Sequence, residues 1–292
     1  MAGHDEFKAP DVSIDGRLPR DIALKAEQAG IDKTHLDAPR LFVLAVLAGA
    51  FIALGSMFAT TVLAGSEGML PFGVARLLAG LVFSLGLVLV VVGGAELFTG
   101  DNLMVMACAA GKIRLRAMLR VWAIVYAGNF VGALATAALV FVSGQYLSGG
   151  GAVARVALQL AVTKTTLPFE QALVLGVLCN VLVCLAVWLS LGARGVADKI
   201  LAITFPISAF VAAGFEHSVA NMYLIPLGLM IKAGAPAALW SQLAMQPSGL
   251  ADLTWMGFAV SLVPVTIGNI IGGTGLVGAV YSFVYLRPER QR

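Results

Sequence analysis

Charge is what this sequence has least of. Asp, Glu, Lys and Arg supply 12% of the residues against 59% hydrophobic, and the mean hydropathy is +0.92. A soluble domain carries about 25% charged residues, so this chain could not cover its own surface in water. Cysteine is scarce too. Cys108, Cys179 and Cys184 fall inside or at the edge of apolar runs, with neither metal-ligand spacing nor a disulfide framework, and packing is their expected role. No cofactor fingerprint, metal cluster or nucleophile with a base occurs, so an enzyme reading has little support and no cofactor or metal is expected. Nor is a nucleic-acid partner. Long polar stretches are missing as well. The largest, residues 1–40, lacks an apolar h-region and does not read as a signal peptide, and no second, soluble domain is visible.

What is present is long apolar runs. A helix needs about 20 residues to cross the hydrocarbon core, and six stretches qualify: 41–64, 74–110, 117–143, 169–191, 200–230 and 256–286. The expected class is therefore an all-α integral membrane protein with six transmembrane helices. It divides into a polar N-terminal segment (1–40), a channel domain (41–286) and a short tail (287–292). The second and fifth runs are too long for one crossing and carry polar residues near the middle. One is interrupted by Gly93-Gly94-Ala95-Glu96-Leu97-Phe98-Thr99-Gly100-Asp101-Asn102, the other by Gly214-Phe215-Glu216-His217-Ser218-Val219-Ala220-Asn221. Glycine and ionisable groups at that depth are tolerated where protein or a water-filled cavity surrounds them, so both runs are predicted to be broken helices.

The third run contains Gly128-Asn129-Phe130-Val131-Gly132 and the sixth Gly268-Asn269-Ile270-Ile271-Gly272. Each half thus reads as a plain helix, a broken helix with an acidic residue, and a helix with Gly-Asn-x-x-Gly. With three spans per half, the second copy must be inverted, and the site belongs where the two breaks meet. The basic residues Lys112, Arg114, Arg116, Arg120, Arg194 and Lys199, with those of both termini, put the termini on the cytoplasmic side; Arg155, Lys164 and Lys232 mark the other. Asp21 to Leu36, with spaced Ile22, Leu24, Ala26 and Ala29, reads as an amphipathic helix under the pore at the membrane surface.

Four motifs carry a resemblance that runs from about residue 20 to Arg287: Glu96-Leu97-Phe98-Thr99-Gly100, Cys179 to Trp188 with Asn180, Gly214 to Met222, and Pro264-Val265-Thr266-Ile267-Gly268-Asn269. The chain resembles the formate–nitrite transporters, and among them the bacterial formate channels. The resemblance implies an aquaporin-like protomer, a homopentamer with one pore per protomer, and a home in the bacterial cytoplasmic membrane. It implies a central pore histidine at His217, an outer lysine at Lys164 and a pore asparagine at Asn269. The loop interrupting the second span is matched by Leu97, Phe98 and Thr99. Apolar constrictions are matched by Phe83, Leu87 and Leu97 on one side of the histidine and Phe210 on the other. Where those formate channels follow the loop threonine with small hydroxylated residues, this chain has Gly100-Asp101-Asn102.

Each residue also has a plainer reading. His217 as a satisfied core histidine fits poorly with a helix break; in a pore it would donate a hydrogen bond to an anion or, charged, stabilise it. Lys164, beside Thr163, Thr165 and Thr166, reads as an external-loop residue, either a surface charge or an anion-attracting vestibule. Thr99 fits a helix cap and an anion-facing loop equally. Asp101 and Asn102 fit a cap as well as a substrate contact. Glu96 and Glu216 would repel an anion, so a structural role is expected, accepting backbone N–H groups freed by the breaks. Asn129, Asn180 and Asn221 fit interhelical hydrogen bonding. Phe83, Leu87, Leu97 and Phe210 would otherwise be packing residues. The expected function is a bidirectional, pH-dependent channel for small monovalent anions, with protons as a candidate coupled partner. Formate leads; nitrite, then hydrosulfide, acetate and lactate follow. The competing class, an aquaporin- or ammonium-like pore for neutral solutes, lacks its Asn-Pro-Ala repeats here.

Overall fold

A computed structural model describes residues 16–287. Residues 1–15 and 288–292, and with them most of the expected tail, lie outside the described residues. The chain opens with α1 (Pro19–His35), which turns at Leu36 into α2 (Ala38–Leu63), capped by the Asp37 carboxylate on the Arg40 N–H. Next comes α3 (Phe72–Gly93), a break, and a short return through α4 (Phe98–Asp101), a 3-10 turn and α5 (Val105–Ala109). The first half closes with α6 (Leu115–Val142). The second half runs α7 (Ala152–Thr165), α8 (Phe169–Gly192) and α9 (Val196–Ala213), then a break, α10 (Ser218–Gly234) and α11 (Ala237–Leu243). The last span is continuous from α12 (Trp255–Ile270) through a π-helical stretch (Ile271–Ala279) into α13 (Val280–Tyr285).

Among the described residues, six helical segments are long and apolar enough to cross a membrane. Each overlaps one of the six runs predicted from hydropathy, the last beginning at Pro247 where 256 was expected. The two breaks fall where predicted, at 94–97 and 214–217. Both the interior and the outer face are largely apolar, with polar groups set inside the core. Asn129, Asn180, Asn221, Asn269, Glu216 and His217 are buried, while Phe72, Leu139, Val142, Leu201 and Phe205 point outward. That is the pattern of a bundle whose outer solvent is apolar.

The repeat is visible as duplicated contacts. In α6, Gly128 and Gly132 lie against the backbone of Phe42 and Val46; in α12, Gly268 and Gly272 lie against Leu173 and Val177. A methyl group at Gly132 or Gly272 would land on the carbonyl oxygen of Val46 or Val177, so only glycine permits the approach. The inversion is visible where the halves meet. Arg76 donates to the carbonyls of Val211 and Ala212, Gly80 abuts Ser208, and the Ser84 hydroxyl lies 3.3 Å from the Thr204 carbonyl. Residue numbers rise on α3 as they fall on α9, so these equivalent helices run antiparallel.

One element departs from expectation. The segment before the fourth span is not a loop but the helix α7, burying Val153, Ala154, Ala157, Leu158 and Ala161. That spacing is a helical stripe. It corresponds to α1, which also precedes its span by a short turn.

Packing predicts a pair of outcomes. Gly272→Val should cost about 1–3 kcal/mol by overpacking and lower the unfolding temperature in detergent. Gly275→Val, whose new Cβ would meet nothing within 4 Å, should not. Equal thermal shifts for both would contradict the close helix approach.

Candidate functional site

Both breaks are built the same way. Gly94 and Gly214 end their helices in the left-handed conformation, φ 79° and 76°, which glycine adopts without steric cost. The next N–H groups, of Ala95 and Phe215, fold back onto the carbonyls of Val90 and Phe210. Those of Glu96 and Glu216 reach across to Leu44 on α2 and Leu175 on α8, at 3.2 and 3.3 Å. Leu97 and His217 then run extended, each with φ −113°. The first N–H of each following helix, Phe98 or Ser218, donates 2.9 Å to the side-chain oxygen of Asn129 or Asn269.

The Asn269 amide goes on to donate to the carbonyls of Gly176 and Glu216, as Asn129 does to those of Ala45 and Glu96. The backbone groups expected to bind Glu96 and Glu216 are thus taken by these two asparagines. Asn269 is buried with its amide committed to backbone, so the expected pore asparagine stands as a clip between helices. Asn180 bridges the Thr99 carbonyl, the Asn102 side chain and the Asn269 carbonyl.

The two glutamates bind lysines instead. Lys164, in the last turn of α7 rather than in a loop, puts Nζ 2.7 Å from Glu216 Oε1, while Asn221 donates to Oε2 at 2.7 Å. The side chains of Lys164 and Glu216 are 12% and 5% exposed, so this is not a solvated surface pair. On the other face Lys33 Nζ bridges Glu96 Oε2 at 2.6 Å and Asp101 Oδ1 at 2.5 Å. Burial disfavours the Lys33 charge, but Asp101 and Glu96 outweigh it and hold its pKa above the ordinary lysine value. Lys33 was legible only as one charge of an amphipathic helix. The signal for more was its spacing: it precedes α2 by the interval at which Lys164 precedes α8.

Each lysine opens onto a cavity. One, of about 160 Å³, is lined by Lys164, Glu216, His217, Arg76, Phe83 and Phe210. The other, of about 200 Å³, is lined by Lys33, Glu96, Asp101, Leu87, Leu97 and Val187. Between them lies a neck. Phe83 meets Phe210 edge-on at 5.4 Å, and Phe210 stacks on the His217 ring at 5.9 Å. Phe83 therefore stands with Phe210 on the Lys164 side, not with Leu87 and Leu97 as expected, because it lies one turn earlier on α3 than Leu87. Phe98 also departs from expectation: it lines neither cavity. It packs on Trp122 and Tyr126 at the groove between α6 and α12.

His217 Nε2 lies 3.0 Å from Thr99 Oγ1, joining the two breaks at the centre. Its Nδ1 accepts the Ala220 N–H at 3.0 Å. A nitrogen that accepts carries no proton, so this network puts the proton of the neutral ring on Nε2. Thr99 does not cap its helix; its hydroxyl faces the histidine and its carbonyl accepts from Asn180 and the Cys184 thiol. The arrangement is a cation at each mouth, a closed apolar neck, and one imidazole donor within it. It fits a small anion that sheds water in stages.

The sequence profile of the family described as Formate/nitrite transporter matches residues 20–283. The chain is 44% identical over 280 residues to the formate channel FocA of Escherichia coli (strain K12), covering 96% of this chain and 98% of that one. It is 42% identical over 244 residues to a formate channel FocA of Haemophilus influenzae, covering 83% and 86%. A solved structure described as a pentameric formate channel with formate bound superposes with a TM-score of 0.81 at 41% identity, covering 86% of this chain and 98% of that one. On this evidence the chain belongs to the formate/nitrite transporter family.

Proposed function

We propose that this protein is a homopentameric channel, not an enzyme, that conducts small monovalent anions across the bacterial cytoplasmic membrane, formate foremost, with both termini inside. The observation that carries this reading is the closed neck at His217 with a lysine cavity on either side. The similar proteins named formate channels, and the formate-bound pentamer, support the substrate and the assembly.

A bare anion in an apolar constriction costs tens of kcal/mol in the Born limit, so the protein must replace its water. Lys164 and Arg76 draw the anion into the outer cavity. At the neck the Nε2–H of His217 can turn from Thr99 to a carboxylate or nitrite oxygen. In this reading the imidazole acts as a neutral donor, because protonating Nδ1 would sacrifice the Ala220 hydrogen bond. Asn269 and Asn180 hold the two breaks in register.

Proteoliposome uptake of labelled formate, against nitrite, hydrosulfide, acetate and lactate, tests the substrate class. Passage of neutral solutes without formate uptake would overturn the proposal. His217→Phe should cut uptake about a hundredfold, the loss of a hydrogen bond to a charged group worth ~2–3 kcal/mol. His217→Asn keeps a donor and should conduct with the wild-type pH profile; a flattened profile would make the ring itself the titrating group.

Lys164 neutralises a buried carboxylate, so Lys164→Gln should lower uptake at low and high salt alike, because a buried pair is poorly screened. It leaves Glu216 uncompensated, at about 3–5 kcal/mol. Adding Glu216→Gln should restore thermal stability without restoring uptake. Recovery of the rate by salt would instead mark Lys164 as a surface attractor.

Sidedness is measurable separately. In a background lacking Cys108, cysteines at Glu67 and Gln246 should react with an impermeant thiol reagent outside intact cells, and those at Lys112 and Gly195 should not. The reverse pattern would invert the topology.

A further inference from the structure

The two mouths are the same construction with one chemical difference. In the second half, Lys164 faces Glu216, and the third member of the cluster is Asn221 on α10, whose amide donates to the glutamate. In the first half, Lys33 faces Glu96, and the position equivalent to Asn221, five residues after the glutamate, is Asp101. An ionised carboxylate cannot donate. One lysine therefore stands against two carboxylates, both bound within 2.6 Å of the same nitrogen.

Among the described residues, nothing nearby relieves the surplus. The Asp101 side chain is 0% exposed, and its Oδ2 is buried without a hydrogen-bond partner. From α6, Trp122 donates to the Asp101 backbone carbonyl, not to the carboxylate. From α8 come Val187 and Cys184, the latter donating to the Thr99 carbonyl. From α3 come Leu87, Val90 and Val91. On α1, Asp32 and His35 point to solvent, as do Lys112, Arg114, Arg116 and Arg120 around the α5–α6 turn. Among the described residues, the titratable groups facing Asp101 are Lys33, Glu96 and Cys184.

We propose that Lys33, Glu96 and Asp101 form a proton-binding site at the α1-side mouth, and that its occupancy sets how freely anions use that mouth. A single proton from water on that side, held between the two carboxyl groups, satisfies Asp101 Oδ2 and makes the cluster neutral like its Lys164 counterpart. Loss of the proton leaves a net negative charge beside the path, walled by apolar side chains, and the mouth repels anions. It also ties Lys33, and α1 with it, more strongly across the opening. The site thereby makes anion flux depend on pH from one face of the membrane. The proposal rests on the anion-channel reading.

Two measurements on full-length protein in lipid test it. With formate current recorded across a planar bilayer after oriented reconstitution, raising pH on the α1 side alone should lower the wild-type current on the order of tenfold, as expected of one added like charge in a poorly screened site. Asp101→Asn, the residue the second half uses, should abolish that one-sided dependence. Infrared difference spectra against pH should show the carbonyl band of a protonated carboxyl group in the wild type, absent in Asp101→Asn. Should Asp101→Asn not fold, Glu96→Gln must remove the same band, because a single carboxylate then pairs with Lys33. Persistence of the band, or of the one-sided dependence, in a folded variant overturns the proposal. A wild type that conducts no anion but shows the Asp101-dependent band would overturn the channel reading and leave the proton site standing.

Discussion

The structure depends on satisfying the backbone where two membrane helices stop. An unpaired N–H in a water-free interior costs several kcal/mol, and each break frees several. Asn129 and Asn269 accept one N–H apiece and donate to two carbonyls, joining the break to the span on either side. The flanking glycines let those helices approach until their backbones touch. Everything at the centre follows from these clips. Leu97 and His217 are extended because the clips hold the chain there, and so the imidazole and Thr99 meet.

Charge in the interior is handled by the same duplication. Each lysine arrives on a short helix ahead of a span, α1 or α7, and meets the glutamate of its own half's break. A buried ion pair contributes little net stability, since desolvation offsets attraction. Its value lies in keeping a cation beside the path that a lone buried lysine would lose to deprotonation. Two halves descending from one plan need not stay equivalent: His217 stands where the first half has Leu97, and Asp101 where the second has Asn221.

Much of this was legible in the sequence. The membrane class, the six spans, both breaks and the Gly-Asn-x-x-Gly pairing come from periodicity and from polar residues at forbidden depth, which are local properties of the chain. The α1 helix was legible through its spaced apolar residues. The α7 helix had the same signal in Val153, Ala157 and Ala161, but hydropathy alone reads its segment as a connection.

What only the tertiary structure decided is who meets whom. Nothing local says that Phe98 turns to Trp122 and away from both cavities, or that Phe83 shares a wall with Phe210. The glutamates were expected to take backbone amides; the asparagines reach those first, and the lysines take the glutamates. Sequence determined which residues must be satisfied, because burial of a polar group has a cost wherever it occurs. The fold determined the partners, because that depends on which helix faces cross at the two breaks, a matter of angstroms between segments tens of residues apart in sequence.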